Sequence, residues 1–391
     1  MSRFHSHLNN AVQILKVYNG EEPFAHFVKK YFARSKKFGS NDRRQISHLC
    51  YCYFRLGKTL GDISMEDRIL TGLFLCSDEP NEMLEQLKPG LNEEVHLPLK
   101  EKLQNIRPSL LIEEVFAWKD ELSEGMNNKM FFESFFIQPD LFIRLRPGCE
   151  NQVKTKLLDR GINFSATSST CLSLPNAVRI DNIIELDKEA VVQDLNSQQV
   201  GKFFKNLELE FSGGERKVWD CCAGSGGKSL LVHDIDPDIA LTVSDARESI
   251  LFNLKKRFAT AGIKNYELFS ADLTDPNLKP QISNFDVIIC DAPCTGSGTW
   301  SRTPEQLYFF NERKIDRYAS LQKKIVSNIV PMLKRNGWLL YITCSVFKKE
   351  NEDVVEFLRS NSELELKEME LLKGYDRKAD TMFAALFKKN L

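Results

Sequence analysis

A chain of 391 residues exceeds one ordinary domain and calls for two or three. Its 42% hydrophobic and 27% charged residues make it globular in composition, and a net charge of −1 leaves any nucleic-acid binding to local basic patches. No apolar run reaches the roughly 18 residues that span a bilayer. The opening MSRFHSHLNNAVQIL lacks the core and cleavage site of a signal peptide, so the expected location is the cytoplasm. Ten cysteines are then reduced thiols, most of them small buried apolar residues. No Cys-x-x-Cys occurs and the six histidines are scattered, so no metal site is expected.

Residues 1–130 read as a helical domain, with apolar residues at helical spacing in AVQILKVY and DRRQISHLCYCYFRLGKTL and breaks at Pro89, Gly90, Pro98 and Pro108. Between Lys29 and Lys58 lie Lys29, Lys30, Arg34, Lys36, Lys37, Arg43, Arg44, Arg55 and Lys58, opposed only by Asp42 and interleaved with Tyr31, Phe32 and Phe38. This is a candidate RNA-backbone patch; the plainer reading is a solvated helix face beside a core stripe. Residues 131–205 read as a small α/β module. PDLFIRLRP is a strand ended by Pro147 and Gly148, ENQVKTKLLDRG is a helix capped by Gly161, and AVRIDN is a further short strand.

Residues 206–391 alternate apolar runs with helical segments. KVWDCCA, ALTVSD, YELFSAD, FDVIICDAP and GWLLYITCS predict strands of a mostly parallel sheet with helices on both faces. Ligands of such sheets bind beyond the carboxyl ends of the strands. That edge should carry Asp220, Asp245, Asp272, Asp291 and the run Thr343-Cys344-Ser345.

The turn Cys222-Ala223-Gly224-Ser225-Gly226-Gly227-Lys228 follows the first of these strands. A triphosphate loop would need glycine where Cys222 stands, and a dinucleotide fingerprint lacks its third glycine. Glycines still let backbone approach a ligand, and the next helix offers N–H groups to an anion such as a methionine carboxylate. Asp245 suits ribose hydroxyls and Asp272 an adenine amino group; each alone is equally well a helix cap.

Cys294, in Asp291-Ala292-Pro293-Cys294, and Cys344 fall just past strands, on the ligand edge rather than in the core. Thiols beside a methyl donor suit methylation of pyrimidine carbon 5: a thiolate adding at carbon 6 makes carbon 5 nucleophilic. Asp291 would bond the cytosine N3 and amino edge. An amine-directed methylase needs no thiol and usually carries Asn/Asp-Pro-Pro-aromatic instead. Either cysteine could be the nucleophile on these grounds.

With these motifs the chain resembles the Fmu/Sun/RsmB family of RNA (cytosine-5) methyltransferases. The resemblance rests on CAGSGGK, Asp245, Asp272, DAPCTGSG, TCSVFKKENEDVVEFL and VVQDLNSQQVG, and covers residues 130–391 well. The N-terminal helices match more loosely, through GSNDRRQISHLCYCYFR. The resemblance implies a Rossmann-like S-adenosylmethionine-dependent domain, an RNA-recognition-like middle module and an antiterminator-like helical domain. It also implies that Cys344 is the nucleophile and that Cys294 assists product release. DNA cytosine-5 methylases use the Pro-Cys thiol, which keeps Cys294 as the alternative. The cofactor pocket implied is Cys222, Ala223, Gly224, Ser225, Gly226, Gly227, Lys228, Asp245, Asp272 and Asp291.

The implied substrate is small-subunit ribosomal RNA, with transfer RNA as the alternative and a monomer assumed. An inactive assembly factor, an amine-directed methylase and a nicotinamide-linked oxidoreductase are the competing classes. The family's usual Ala-Pro is Gly224-Ser225 here, which predicts a looser turn. Asp380-Thr381-Met382-Phe383 replaces the relatives' Asp-Gly-Phe-Phe, which puts strand geometry there in question. Trp300, Tyr308, Phe309 and Phe310, with Arg302 and Arg313 among them, are candidates to line an RNA path, or else pack a helix onto the sheet.

Overall fold

The structure, a computed structural model, describes residues 2–34, 37–176, 178–208, 216–275 and 284–390. The chain divides into two compact units rather than three consecutive segments. One comprises Met1–Asp120, Met126–Gln138 and Thr299–Glu312; the other comprises Glu121–Gly125, Pro139–Gly298 and Arg313–Leu391. Among the described residues no helix is long and apolar enough to cross a membrane.

The first unit is helical. Its helix Ser40–Arg55 buries Ile46, Leu49, Cys50, Tyr53 and Phe54, the spacing of one helix face. It meets the helix Met65–Leu75 at Gly72, where an added Cβ would stand 2.4 Å from the Cys52 carbonyl oxygen. Only glycine permits that approach. The segment around Trp300 belongs to this unit, and Trp300 and Phe310 are buried in its core. Trp300 lies against Phe116, Trp118 and Phe310, and Tyr308 and Phe309 lie against Phe54. Trp300 is 1% exposed.

The basic segment is also altered by packing. Arg55 turns inward and donates to the carbonyls of Phe135 and Ile137 and to Gln138. Phe32 and Phe38 are buried edge to face, 5.4 Å apart, so neither offers a stacking surface. Lys29, Lys30, Arg34, Lys37, Arg43, Arg44 and Lys58 remain exposed, and Lys36 lies outside the described residues.

The second unit holds two sheets. The smaller one has β1 (Leu141–Leu145), β2 (Ser165–Ala166), β3 (Cys171–Leu174) and β4 (Ala190–Val192) in the order β2-β3-β1-β4, all antiparallel. The helix Glu150–Asp159 covers it through Val153 and Leu157, and Gly161 follows with φ +66°. The strand expected in AVRIDN does not form. Pro175 ends β3 and accepts from the Val178 N–H, turning the chain so that Ile180 enters this core; Ala177 lies outside the described residues.

The larger sheet contains β5 (Lys217–Asp220), β6 (Ala240–Asp245), β7 (Tyr266–Ser270), β8 (Phe285–Asp291), β9 (Leu333–Thr343), β10 (Leu364–Leu372) and β11 (Met382–Lys389). Their order is β10-β11-β9-β8-β5-β6-β7. Strands β5 to β9 are parallel, and β11 and β10 add an antiparallel margin that the sequence patterns did not disclose. Val218, Leu241, Val287, Ile289, Leu340 and Ile342 enter one core, while Trp219, Ile288, Cys290, Leu339 and Tyr341 enter another. Alternate residues therefore face opposite buried layers, which is why the strands read as continuous apolar runs. The connections reverse at β5, between β6 and β8, which places a crevice at the carboxyl ends of these strands.

Candidate active site

The crevice starts at the turn after β5. Gly224 and Gly226 have φ +53° and +85°. A Cβ on Gly226 would lie 2.8 Å from Phe258 Cε1, so the turn needs glycine there. A Cβ on Gly224 or Gly227 meets nothing within 4 Å. The turn thus has a packed underside and an open upper side, a cradle that a ligand can approach at backbone distance. The helix Gly227–Ile235 begins immediately after it.

The turn is fastened rather than loose. Ala223 N–H donates to the Ser244 carbonyl, and Gly224 N–H donates to Asp245 Oδ2 at 3.0 Å. Ser225 is exposed, yet Arg257 donates to both its carbonyl and its hydroxyl, at 2.9 and 3.0 Å. A proline at 225 would offer no hydroxyl for this clamp. Asp245 also accepts from the Arg247 backbone and guanidinium. Burial opposes ionisation of Asp245, but the Arg247 hydrogen bonds outweigh it and hold the carboxyl below its ordinary value. Asp272 is exposed after β7, where its Oδ1 accepts from the backbone and hydroxyl of Thr274 and its carboxyl is lowered by those bonds.

Lys228, buried in the first turn of its helix, joins this cradle to β8: its ammonium donates to Ser197 Oγ at 2.9 Å and Asp291 Oδ2 at 3.0 Å. Asp220 lies below, fully buried. Burial pushes its carboxyl up to about 7; the Ser229 hydroxyl opposes this and nearby Asp291 adds to it. Asp220 is therefore part of the floor rather than of the exposed edge.

Cys294 and Cys344, separated by fifty residues in sequence, have their sulfurs 3.3 Å apart. Ala292 N–H donates to Ile342 and Gly298 N–H to Cys344, so the two loops share backbone bonds, each at 2.9 Å. Thr381 N–H in turn donates to the Gly298 carbonyl at 2.9 Å. A Cβ at Gly298 would lie 1.9 Å from the Thr381 oxygen. β11 forms intact immediately after Thr381, whose hydroxyl accepts from the Gly374 N–H. The Cys344 sulfur, as hydrogen-bond partner, and burial push the Cys294 thiol well above its ordinary value.

Glu350, which motif reading did not single out, ties these loops. Its buried carboxylate accepts from Thr295 N–H at 2.8 Å, Thr295 Oγ1 at 2.6 Å, Ser345 Oγ at 2.7 Å and Gln322 Nε2 at 3.1 Å. Gln322 also donates to the Pro293 carbonyl. Burial raises the Glu350 carboxyl against the four donors. Asn351 completes the frame by accepting from Thr343 Oγ1 and donating to the Ser345 carbonyl. The only advance signal was a single acidic residue after two lysines, Lys348-Lys349-Glu350.

Comparison with known proteins agrees with this architecture. The sequence model of the family described as 16S rRNA methyltransferase RsmB/F matches residues 207–387. The ribosomal RNA small subunit methyltransferase B of Photorhabdus laumondii is 31% identical over 180 residues, covering 45% of this chain and 39% of that protein. The chain spans about half the length of the curated relatives it matches. The crystal structure of PH0851 shares the fold with a TM-score of 0.70 at 20% identity, covering 97% of each chain. A methyltransferase homolog protein from Pyrococcus horikoshii shares it with a TM-score of 0.54 at 23% identity, covering 69% of this chain and 92% of that one. Residues 207–387 are thus similar to the 16S rRNA methyltransferase RsmB/F family, a match that covers just under half of the chain.

Proposed function

We propose that the protein methylates carbon 5 of a cytosine in RNA, with small-subunit ribosomal RNA as substrate, as a monomer in the cytoplasm. The observation that carries this reading is the pair of sulfurs 3.3 Å apart at the carboxyl ends of β8 and β9. The names of the relatives support ribosomal RNA as the substrate.

The open cradle at Gly224 and Gly227 and the N-terminus of helix Gly227–Ile235 suit S-adenosylmethionine, with Cys222 to Lys228 and Asp245 against it and Asp272 and Asp291 at its margin. Bound there, the cofactor supplies an electrophilic methyl group on a sulfonium. Asp245 is already engaged by Gly224 and Arg247, so it shapes the turn as well as offering an acceptor to ribose. Cys344 adds as thiolate to cytosine carbon 6, which places electron density on carbon 5. Asp291 accepts from the amino group of the base, and Lys228 holds that carboxylate in place. After methylation the carbon-5 proton leaves with help from Cys294, the carbon–sulfur bond breaks and the Cys344 thiolate is released.

The test is transfer of labelled methyl to unmodified small-subunit ribosomal RNA, followed by nucleoside chromatography. Label in 5-methylcytidine is expected. Label in an N-methylated nucleoside would overturn the carbon-5 reading, and label only in a transfer-RNA pool would overturn the substrate.

A further inference from the structure

Beneath the glycine turn lies a group of thiols with no part in the covalent steps, although the Cys222 backbone opens the turn that faces the cofactor. Cys221 and Cys222 immediately follow β5, and Cys290 sits near the end of the adjacent strand β8. The three sulfurs all lie within 4.8 Å of one another. Cys221 and Cys290 are buried and Cys222 is half-buried. We propose that Cys221, Cys222 and Cys290 bind one thiophilic divalent ion of the zinc class, clamping the glycine turn to β8.

The geometry suits such an ion. A tetrahedral ion with metal–sulfur bonds of about 2.3 Å needs sulfurs roughly 3.8 Å apart, which the cluster's 4.8 Å limit accommodates. Three sulfurs select a soft d10 ion over calcium or magnesium, which require oxygen ligands. The backbone already holds the ligands together: β5 and β8 pair in parallel through Asp220 and Ile289, and Cys221 N–H donates to the Ile289 carbonyl at 3.0 Å. Side-chain movement therefore suffices. Binding converts three thiols to thiolates, releases three protons to solvent and forms three metal–sulfur bonds. Water takes the fourth position on the half-buried side, at Cys222. The pattern escapes a spacing search because Cys290 is far from the other two in sequence, although adjacent in the sheet.

The experiment is titration of the reduced, metal-free chain with Cd2+, read by thiolate-to-cadmium charge-transfer absorption, with proton release measured in dilute buffer. One ion per chain and three protons are expected. Cys290→Ala and Cys221→Ala should each weaken uptake by at least about 100-fold, while a Cys294→Ala, Cys344→Ala double variant keeps it. Zn2+ should raise the Tm of the wild type and not that of Cys290→Ala. Circular dichroism checks that each variant is folded, and the unmutated chain's stoichiometry stands on its own if one is not. Absence of saturable one-to-one uptake by the wild type overturns the proposal. So does uptake lost with the Cys294 and Cys344 pair, or uptake kept in Cys290→Ala and lost in Cys52→Ala.

Discussion

The thiol loops and the glycine turn occupy the same sheet edge but are built in opposite ways. Around Cys294 and Cys344, a buried carboxylate, an asparagine and a tightly sandwiched glycine fix two loops against each other. Around Gly224, the backbone is held from below while its upper side stays open. Covalent chemistry needs the nucleophile within a few tenths of an ångström of its target, whereas a cofactor cradle must admit and release a molecule every turnover. On the proposed function, the difference puts rigidity where a bond would form and access where a ligand would exchange.

The sharpest way to break this contrast is to remove the proposed nucleophile. Cys344→Ala should lower methyl transfer by roughly a thousandfold or more while cofactor affinity, measured by calorimetry, changes less than about twofold. Next comes the support of the loops. Glu350→Gln places an amide where four donors converge, and turnover should fall roughly 10- to 100-fold with cofactor affinity again nearly unchanged. A general loss of folding would move both together.

The turn should show the reverse split. Gly226→Ala puts a methyl group 2.8 Å from Phe258 at a φ of +85°, so cofactor affinity should fall at least about tenfold and stability by about 1–3 kcal/mol.

The floor beneath both regions supplies a pH test. The folded-state carboxyl of Asp220 is raised to about 7. Its contribution to stability is therefore complete below the ordinary carboxylate value and is lost as pH rises toward 7. Asp220→Asn should flatten that decline, gaining on the wild type by up to about 4 kcal/mol between roughly pH 4 and 7 in denaturant titrations. The smallest effect belongs to Ser225→Ala. It removes one exposed hydrogen bond from Arg257 and should change cofactor affinity by no more than about threefold.

What could be read in advance follows the reach of each interaction. The glycine turn, the five parallel strands and both thiols are local patterns, because a strand's apolar run and a turn's glycines answer to their own backbone. Glu350 was not legible, since its partners Thr295 and Gln322 come from other segments. Trp300 and Phe310 carried the composition of an RNA surface, but Phe116 and Trp118, far away in sequence, enclose them. Arg55 likewise read as part of a basic face until Phe135 and Gln138 supplied acceptors inside. Strand β10 escaped because a register shift between Leu366 and Glu368 breaks its alternation and leaves Met369 exposed.

The most direct measurement is a denaturing gel of enzyme, cofactor and cytosine-containing RNA for the two thiol variants. With Cys344 as nucleophile and Cys294 needed for release, Cys294→Ala should accumulate a protein–RNA adduct that survives denaturation, and Cys344→Ala should form none. An adduct in Cys344→Ala but not in Cys294→Ala would reverse the two roles, and methylation without dependence on either thiol would contradict covalent catalysis altogether.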